Sequence, residues 1–190
     1  QTKQIALMSA TSVPVNKEYI LKGADYYYAG RYDLLHQKQV IHVFIQFRNQ
    51  GEGMGIPLPK GIIRVYKKDA QNNQQFIGED HIDHTPNNEL IRLKMGNAFD
   101  ITADRVQTDF KQIAGTSRYA SIFETAHQIT LKNAKKEKVI VKVQESMPGD
   151  WEMISESLPH SKLGAGLVEW NVAIAAESEA QLTYRARVKY

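Results

Sequence analysis

The sequence contains no cysteine, which excludes disulfide bonds, cysteine-ligated zinc sites and thiol nucleophiles. It has no apolar run of about 18 residues, so no membrane-spanning segment is predicted. Neither sign of charge dominates, because 24 basic and 21 acidic residues leave a net charge of +3, and this balance does not predict nucleic-acid binding. The chain starts at Gln1 without a signal peptide, which indicates a fragment or a processed product.

Alternation of apolar and polar residues is the dominant pattern, and it predicts about twelve β-strands. In the segment 40–48, Ile41, Val43, Ile45 and Phe47 share one face. The same period occurs in 138–147 and in the C-terminal segment 181–190. Segment 103–114 fits either a helix or a long strand, and its alternation favours the strand. No segment keeps a 3.6-residue apolar period over three helical turns. The predicted fold is all-β, an antiparallel β-sandwich.

An internal repeat indicates two structural units. A strand ends at Asn49, and a turn leads from it to a second apolar strand; Asn133 stands in the same arrangement. Asparagine suits such a strand end because its side chain can bond to nearby backbone groups. The spacing fits the size of an immunoglobulin-like sandwich. We therefore predict two such units in tandem, 1–97 and 98–190; the alternative is one continuous larger sandwich.

The segment 78–86, GEDHIDHTP, is the most polar candidate for a chemical site. His81, Asp83 and His84 are possible metal ligands, but His81 and His84 point to opposite faces of a regular strand. A zinc site would need a turn here and a third ligand from elsewhere. The predicted layout is a strand, a polar segment 79–84, a turn 85–88 and another strand. We therefore favour a polar hairpin end over a metal or acid–base site.

Four tyrosines within 23–32 are the best candidates for a binding surface: Tyr26, Tyr27, Tyr28 and Tyr32. Tyrosine provides rigid contact area with a polar tip, which favours protein or sugar interfaces. The alternative is an irregular strand with one tyrosine face buried. Trp151 and Trp170 are predicted to anchor the core of the second unit. The glycine-rich segment 49–61 has no phosphate-loop pattern and is interpreted as a shaped loop, so no cofactor is expected.

Three stretches together resemble a known family: residues 55–69, residues 75–105, and the pair 148–157 and 180–190. They are similar to the C-terminal domain of the mucoidy-inhibitor-like family of bacterial proteins, a domain of unknown function. The resemblance covers about residues 5 to 190 and is most specific in 55–105. It implies an exported protein and a periplasmic or cell-envelope location. It supplies no substrate, cofactor or catalytic residue.

Three functions follow as hypotheses. The first, which we favour, is a non-enzymatic binding or scaffolding module of the bacterial envelope that contacts an unknown protein or glycan through the tyrosines. The second is a carbohydrate-binding module that stacks aromatic rings on sugars. The third is a metal-dependent hydrolase of envelope material that uses the polar segment 79–84. The sequence contains no catalytic arrangement at a diagnostic spacing, so an enzyme is not expected.

Overall fold

A computed structural model describes residues 8–10, 12–32 and 38–190, so the predicted start of the first unit lies outside the described residues. These residues form thirteen strands and one short 3₁₀-helix, Asp25–Tyr28. The strands are β1 (Asn16–Lys22), β2 (Lys38–Gln39), β3 (Ile41–Arg48), β4 (Gly61–Lys68), β5 (Gln74–Ile82), β6 (Leu90–Asn97), β7 (Ile101–Ile113), β8 (Ile122–Asn133), β9 (Val139–Ser146), β10 (Asp150–Glu156), β11 (Ser161–Gly164), β12 (Leu167–Ile174) and β13 (Ser178–Lys189). None of the described helices is long and apolar enough to cross a membrane.

The chain divides into two compact units. Unit 1 contains the described residues up to Glu18 and the block His42–Gly96. Unit 2 contains Asn97–Tyr190 together with the described part of Tyr19–Ile41. The sequence division at 97/98 assigned residues 19–41 to the first unit, whereas in the structure the described residues of this segment cluster with the second. The reason is that part of β1 pairs with β9, where Tyr19 lies opposite Val141.

Unit 2 is built from two sheets with apolar faces. One has the strand order β11-β12-β9-β1 and the other β10-β13-β8-β7-β2. Nearly all of their pairings are antiparallel; the β1–β9 pair is parallel. The sheets pack together where Trp170 of β12 stacks on Tyr184 of β13, with ring centroids 4.8 Å apart. Both side chains are buried, and the predicted all-β fold of packed antiparallel sheets is confirmed. The immunoglobulin-like arrangement stays a prediction.

Alternation fixes the inward faces of the unit 2 strands. In β9 the buried residues are Val139, Val141 and Val143, as predicted. The segment 103–114 is a strand, and the preference for strand over helix is confirmed. Ala103 and Arg105 of this strand point inward. The more apolar residues of the opposite parity are only partly buried.

Unit 1 consists of strands β3 and β6 and the two-stranded ribbon β4–β5. Ile91 and Leu93 of β6 are buried in it. Asn49 is fully buried, and its amide group donates to the carbonyls of Ile56 and Pro86. Its side-chain oxygen accepts from the amide of Gly55. One side chain thus holds the glycine-rich loop and the turn before β6 together.

Asn133 performs the same task in unit 2. It is 2% exposed, its amide group donates to the carbonyls of Glu137 and Ala175, and its oxygen accepts from the amide of Lys135. The predicted role of both asparagines in bonding local backbone at a strand end is therefore confirmed. The lysine-rich turn that follows is organised by Asn133 and by an ion pair between Lys135 and Asp100 at 2.9 Å.

Candidate functional site

Strands β4 and β5 of unit 1 form a ribbon that includes part of the polar segment 78–86 and presents several exposed apolar side chains. Its strands are joined by a turn in which Asp69 accepts hydrogen bonds from the amides of Gln71 and Asn73 at 2.9 and 2.8 Å. Asn72 has a φ of 67°, a left-handed conformation that asparagine tolerates. The polar turn at 69–73 therefore closes the hairpin. These hydrogen bonds, that from the Asn73 amide first, lower the pKa of Asp69, so the turn carries a carboxylate charge.

The two faces of the ribbon differ in burial. Ile63 and Val65 lie on the inner, partly buried face, opposite Asp80 and Gly78. One Asp80 carboxylate oxygen accepts from the backbone amide of Lys94 in β6 at 2.7 Å, which ties this face to the rest of unit 1. The outer face presents Ile62, Arg64 and Tyr66 of β4 opposite His81, Glu79 and Phe76 of β5. All six are exposed.

Four large apolar side chains of the ribbon are exposed to solvent. Ile62 is 49% exposed, Tyr66 51%, Phe76 55% and Ile77 40%. The rings of Tyr66 and Phe76 face each other across the strands in an edge-to-face contact, with centroids 5.6 Å apart. Ile77 stands at an irregularity, where Tyr66 pairs with Phe76 while the preceding Val65 pairs with Gly78. Tyr66 and Phe76 thus form one exposed aromatic pair, while Ile62 lies beyond the Arg64–Glu79 ion pair on the same face. Exposed aromatic side chains are enriched at protein interfaces.

The charged side chains toward the base of the ribbon form ion pairs, whereas two lysines at its turn end do not among the described residues. Glu79 accepts from the guanidinium of Arg64 at 2.9 Å. Asp83 lies 3.5 Å from the ammonium group of Lys60. Lys67 and Lys68, at the end of β4, have no acidic partner among the residues that the structure describes. The end of the ribbon therefore carries two lysines without an ion-pair partner beside the aromatic pair, next to the single carboxylate of Asp69 in the turn.

The candidate metal ligands of segment 78–86 are not brought together. Strand β5 continues to Ile82, four residues past the predicted strand end, because 79–82 pair with 61–64. His81 lies on the outer face, whereas Asp83 points to Lys60 and the Nδ1 atom of His84 accepts from the Lys60 amide at 3.3 Å. In the described part of the chain, no three histidine or acidic side chains are placed to hold a metal ion.

His84 instead lines a shallow apolar hollow of about 540 Å³ on the surface of unit 1. The other lining residues are Pro57, Leu58, Pro59, Thr85 and Pro86. Leu58 and Thr85 exchange backbone hydrogen bonds of 2.8 and 2.9 Å, so they extend the pairing of the ribbon beyond its strands. The polar segment and its turn thus have a structural place at the base of the ribbon.

The four tyrosines predicted as a binding face are divided between surface and interior. Tyr27 is 5% exposed and Tyr28 is fully buried, so neither offers a free contact surface in unit 2. Tyr26 is 54% exposed and Tyr32 is half-buried, with their ring centroids 5.7 Å apart. The segment forms a 3₁₀-helix, not the irregular strand expected as the alternative. The helix turns two tyrosines inward and leaves one outside.

Tyr28 belongs to a buried polar network that the sequence analysis did not identify. Its hydroxyl donates to a Glu145 carboxylate oxygen at 3.0 Å and lies 2.9 Å from the hydroxyl of Tyr184. The guanidinium of Arg105 donates to the other Glu145 oxygen and to the Tyr184 hydroxyl. The side chains of Arg105 and Glu145 are both 0% exposed, so a complete ion pair lies inside unit 2.

The network fixes the charge state of its members. Burial alone would lower the pKa of Arg105, but the charge of Glu145 raises it above its ordinary value, so the guanidinium stays charged. Burial and the Glu145 charge raise the pKa of Tyr28 and Tyr184, which keeps both phenols neutral. One positive and one negative charge then balance, and the two hydroxyls complete their hydrogen bonds. These groups stabilise one another.

His127 stands beside this network as a neutral group. Its Nε2 lies 3.2 Å from the hydroxyl of Thr125, whereas its Nδ1 is buried without a hydrogen-bond partner among the described residues. Burial, and secondly the charge of Arg105, lower the pKa of His127 to about 3. The ring contacts Tyr184, with centroids 5.4 Å apart. A neutral histidine fits this position because a second positive charge beside Arg105 would be repelled.

A signal for the network is present in the sequence. In β9 the alternation Val139, Val141, Val143 continues in register to Glu145, and in β7 Ala103 continues to Arg105. A charged residue at the next inward position of an apolar alternation is unusual. Two such residues of opposite charge in one domain therefore predict a buried ion pair.

Comparison of the chain with protein-family models, with curated proteins and with solved structures finds no match. The resemblance to the mucoidy-inhibitor-like family, with the envelope location that it implies, therefore stays an expectation from the sequence.

Proposed function

We propose that this chain is a non-enzymatic binding or scaffolding module of an exported bacterial cell-envelope protein. We further propose that it contacts its partner through the outer face of the β4–β5 ribbon. The observation that carries this proposal is the exposed aromatic pair Tyr66 and Phe76, with the exposed side chains of Ile62 and Ile77 on the same ribbon, which nothing within unit 1 covers among the described residues. Aromatic side chains of this kind commonly provide the binding energy of protein interfaces.

The polar groups of unit 2 support a structural interpretation of that unit. Arg105, Glu145, Tyr28 and Tyr184 bond to one another inside the core, although the Nε of Arg105 is buried without a hydrogen-bond partner among the described residues. On the outside of its five-stranded sheet, Arg185 pairs with Asp109 and Glu124, at 2.9 and 3.0 Å. Charges that are already paired within the sheet offer little to a partner, so the ribbon of unit 1 is the better contact surface.

Carbohydrate binding by ring stacking has weaker support. Trp170 is fully buried. The ring of Trp151 has the ammonium group of Lys162 4.6 Å above it and its Nε1 donates to the carbonyl of Ala165 at 2.8 Å. Neither indole therefore presents a free flat face of the kind that stacks on a sugar.

Photo-crosslinking in the host tests the proposed surface. A photoreactive phenylalanine analogue is placed at Phe76 of the full-length protein, and in the control at Lys111, an exposed position of β7 in unit 2. We expect one discrete crosslinked partner from position 76 and none from position 111. Tyr66→Ser in the Phe76 crosslinking protein should abolish the product. Equal products from both positions, or none from position 76, would refute the proposed surface.

A further inference from the structure

The edge of β4 away from β5 is open. The ribbon is a two-stranded sheet, and no strand pairs with this edge among the described residues. An unpaired edge presents backbone amide and carbonyl groups in the spacing of a strand, and an extended segment can add to it. The open edge is offered by β4 itself, Gly61–Lys68, because Pro59 before it has no amide hydrogen to donate. That length suits an extended peptide of about eight residues.

The charges along this edge select the occupant. Strand β4 carries Arg64, Lys67 and Lys68 and no acidic residue, whereas the acidic residues Glu79 and Asp80 belong to β5. Glu79 already pairs with Arg64, and Asp80 accepts from backbone amides. At the turn end of the ribbon the two lysines outnumber the single carboxylate of Asp69, so a strand added beside β4 meets a net positive neighbour there. Acidic side chains opposite the two lysines would be favoured, and basic ones repelled.

We propose that the open edge of β4 binds an acidic, extended segment of a partner protein as a third strand. The backbone of the segment pairs with β4, its acidic residues lie near Lys67 and Lys68, and an apolar residue covers the ring of Tyr66. This inference rests on the proposed binding function and specifies the chemistry of the partner.

Two other occupants fit the ribbon less well. A second copy of this chain paired edge to edge would place no acidic side chain beside Lys67 and Lys68, because β4 contains none, so that pairing lacks charge complementarity. An anionic membrane would attract Lys67 and Lys68, but the turn at the end of the ribbon contains Asp69, whose pKa is lowered by its hydrogen bonds, together with Asn72 and Asn73. A charged carboxylate at that extremity opposes insertion into a negatively charged bilayer.

Peptide binding to the purified chain tests the inference. The test peptide has about twelve residues, mostly valine and threonine with two adjacent glutamates near one end, so that one glutamate can lie beside each lysine. A second peptide has lysine in place of glutamate. Amide hydrogen exchange of β4 and fluorescence anisotropy of labelled peptide are measured. We expect the acidic peptide to bind and to slow exchange in 61–68, and the basic peptide to do neither. Lys67→Glu with Lys68→Glu should weaken binding about tenfold.

The matched control reverses two exposed lysines of unit 2, Lys136→Glu and Lys138→Glu, and should leave binding within about twofold of the parent. Failure of the acidic peptide to bind would overturn the inference. So would binding to vesicles of phosphatidylglycerol and phosphatidylcholine in place of peptide, or protection of 61–68 that depends only on protein concentration. If the Phe76 crosslink persists unchanged in the Lys67→Glu, Lys68→Glu variant, the binding module stands and the acidic partner falls.

Discussion

The guanidinium of Arg105 and the carboxylate of Glu145 form an ion pair that is closed off from solvent on every side. The pair joins the two sheets of unit 2, since Arg105 lies in β7 and Glu145 in β9. Removing one partner should be costly because it leaves the other charge buried and uncompensated.

We expect Glu145→Gln to lower the free energy of unfolding of unit 2 by about 3 to 5 kcal/mol. The double variant Arg105→Met, Glu145→Met should lose less, because it removes both charges together. Urea unfolding followed by tryptophan fluorescence measures this loss for unit 2, since both tryptophans of the chain, Trp151 and Trp170, belong to that unit. Equal losses in the single and double variants would contradict the ion-pair explanation.

Gly23 makes room for the Glu145 carboxylate. A Cβ atom at this position would overlap all three carboxyl atoms of Glu145. We expect Gly23→Ala to destabilise unit 2 by about 1 to 3 kcal/mol, the usual range for overpacking. Gly164→Ala is the control, because a Cβ atom there would meet nothing within 4 Å. A Gly23→Ala protein that unfolds at the urea concentration of the parent would show that Glu145 moves aside freely.

The stability of unit 2 should depend on the protonation of His127. Its pKa is lowered to about 3 in the folded state, so the unfolded chain binds a proton below its ordinary value of about 6.5 and the folded chain does not. The stability that unit 2 gains from this shift is therefore fully present above pH 6.5, and it is lost as the pH decreases toward 3. Between pH 6.5 and 4.5 the loss should be on the order of 2 kcal/mol.

His127→Phe should remove most of this slope while keeping an aromatic ring against Tyr184. Urea unfolding at several pH values between 6.5 and 4.5 checks the expectation. Arginine contacts lower the pKa of Asp109 and Glu124 in the folded state, and the stability that these carboxyls contribute is lost mainly below this window, where the unfolded carboxyls take up protons at about pH 4. An unchanged slope in the variant would assign the pH dependence to other groups.

Substitution of the buried Asn133 should lower the free energy of unfolding of unit 2. Asn133→Ala leaves the carbonyls of Glu137 and Ala175 without their donor. We expect a loss of about 2 to 4 kcal/mol in the unfolding monitored by tryptophan. Asn133→Asp keeps the size of the side chain but replaces the donor with an acceptor, and it should be no better. A mild effect of Asn133→Asp would mean that the donor bonds matter less than the shape.

Periodicity predicts most of this fold because a β-strand with one buried face alternates visibly. The strands around Val141 and Tyr184, and the turn residues Asn49 and Asn133, were predicted for that reason. The assignment of the described residues of 19–41 to unit 2 was not predicted, because pairing between β1 and β9 joins positions more than a hundred residues apart. The burial of the individual tyrosines was also not predicted, since composition does not indicate which rings of a 3₁₀-helix point inward.

The exposed face of the ribbon was likewise outside the reach of the sequence. Ile62, Tyr66 and Phe76 follow the same alternation as core residues, so their pattern alone indicates burial. Only the pairing of β4 and β5 as a separate two-stranded sheet shows that this face has nothing above it in unit 1 among the described residues. Local pattern indicates which residues share a face, and topology decides whether that face is covered.

The path of the chain determines how the protein can be dissected. The chain passes from one unit to the other at 18/19, 41/42 and 96/97, so no single cut yields both units whole. A fragment that begins at residue 98 would lack Gly23 and Tyr28 and would leave Glu145 without its phenolic partner. The amide of Ala98 bonds to the carbonyl of Ile41 at 2.8 Å, so the block 42–96 leaves and re-enters unit 2 at adjacent points. Excision of that block, with residue 41 joined to 97 through a short linker, is the deletion that preserves the buried network.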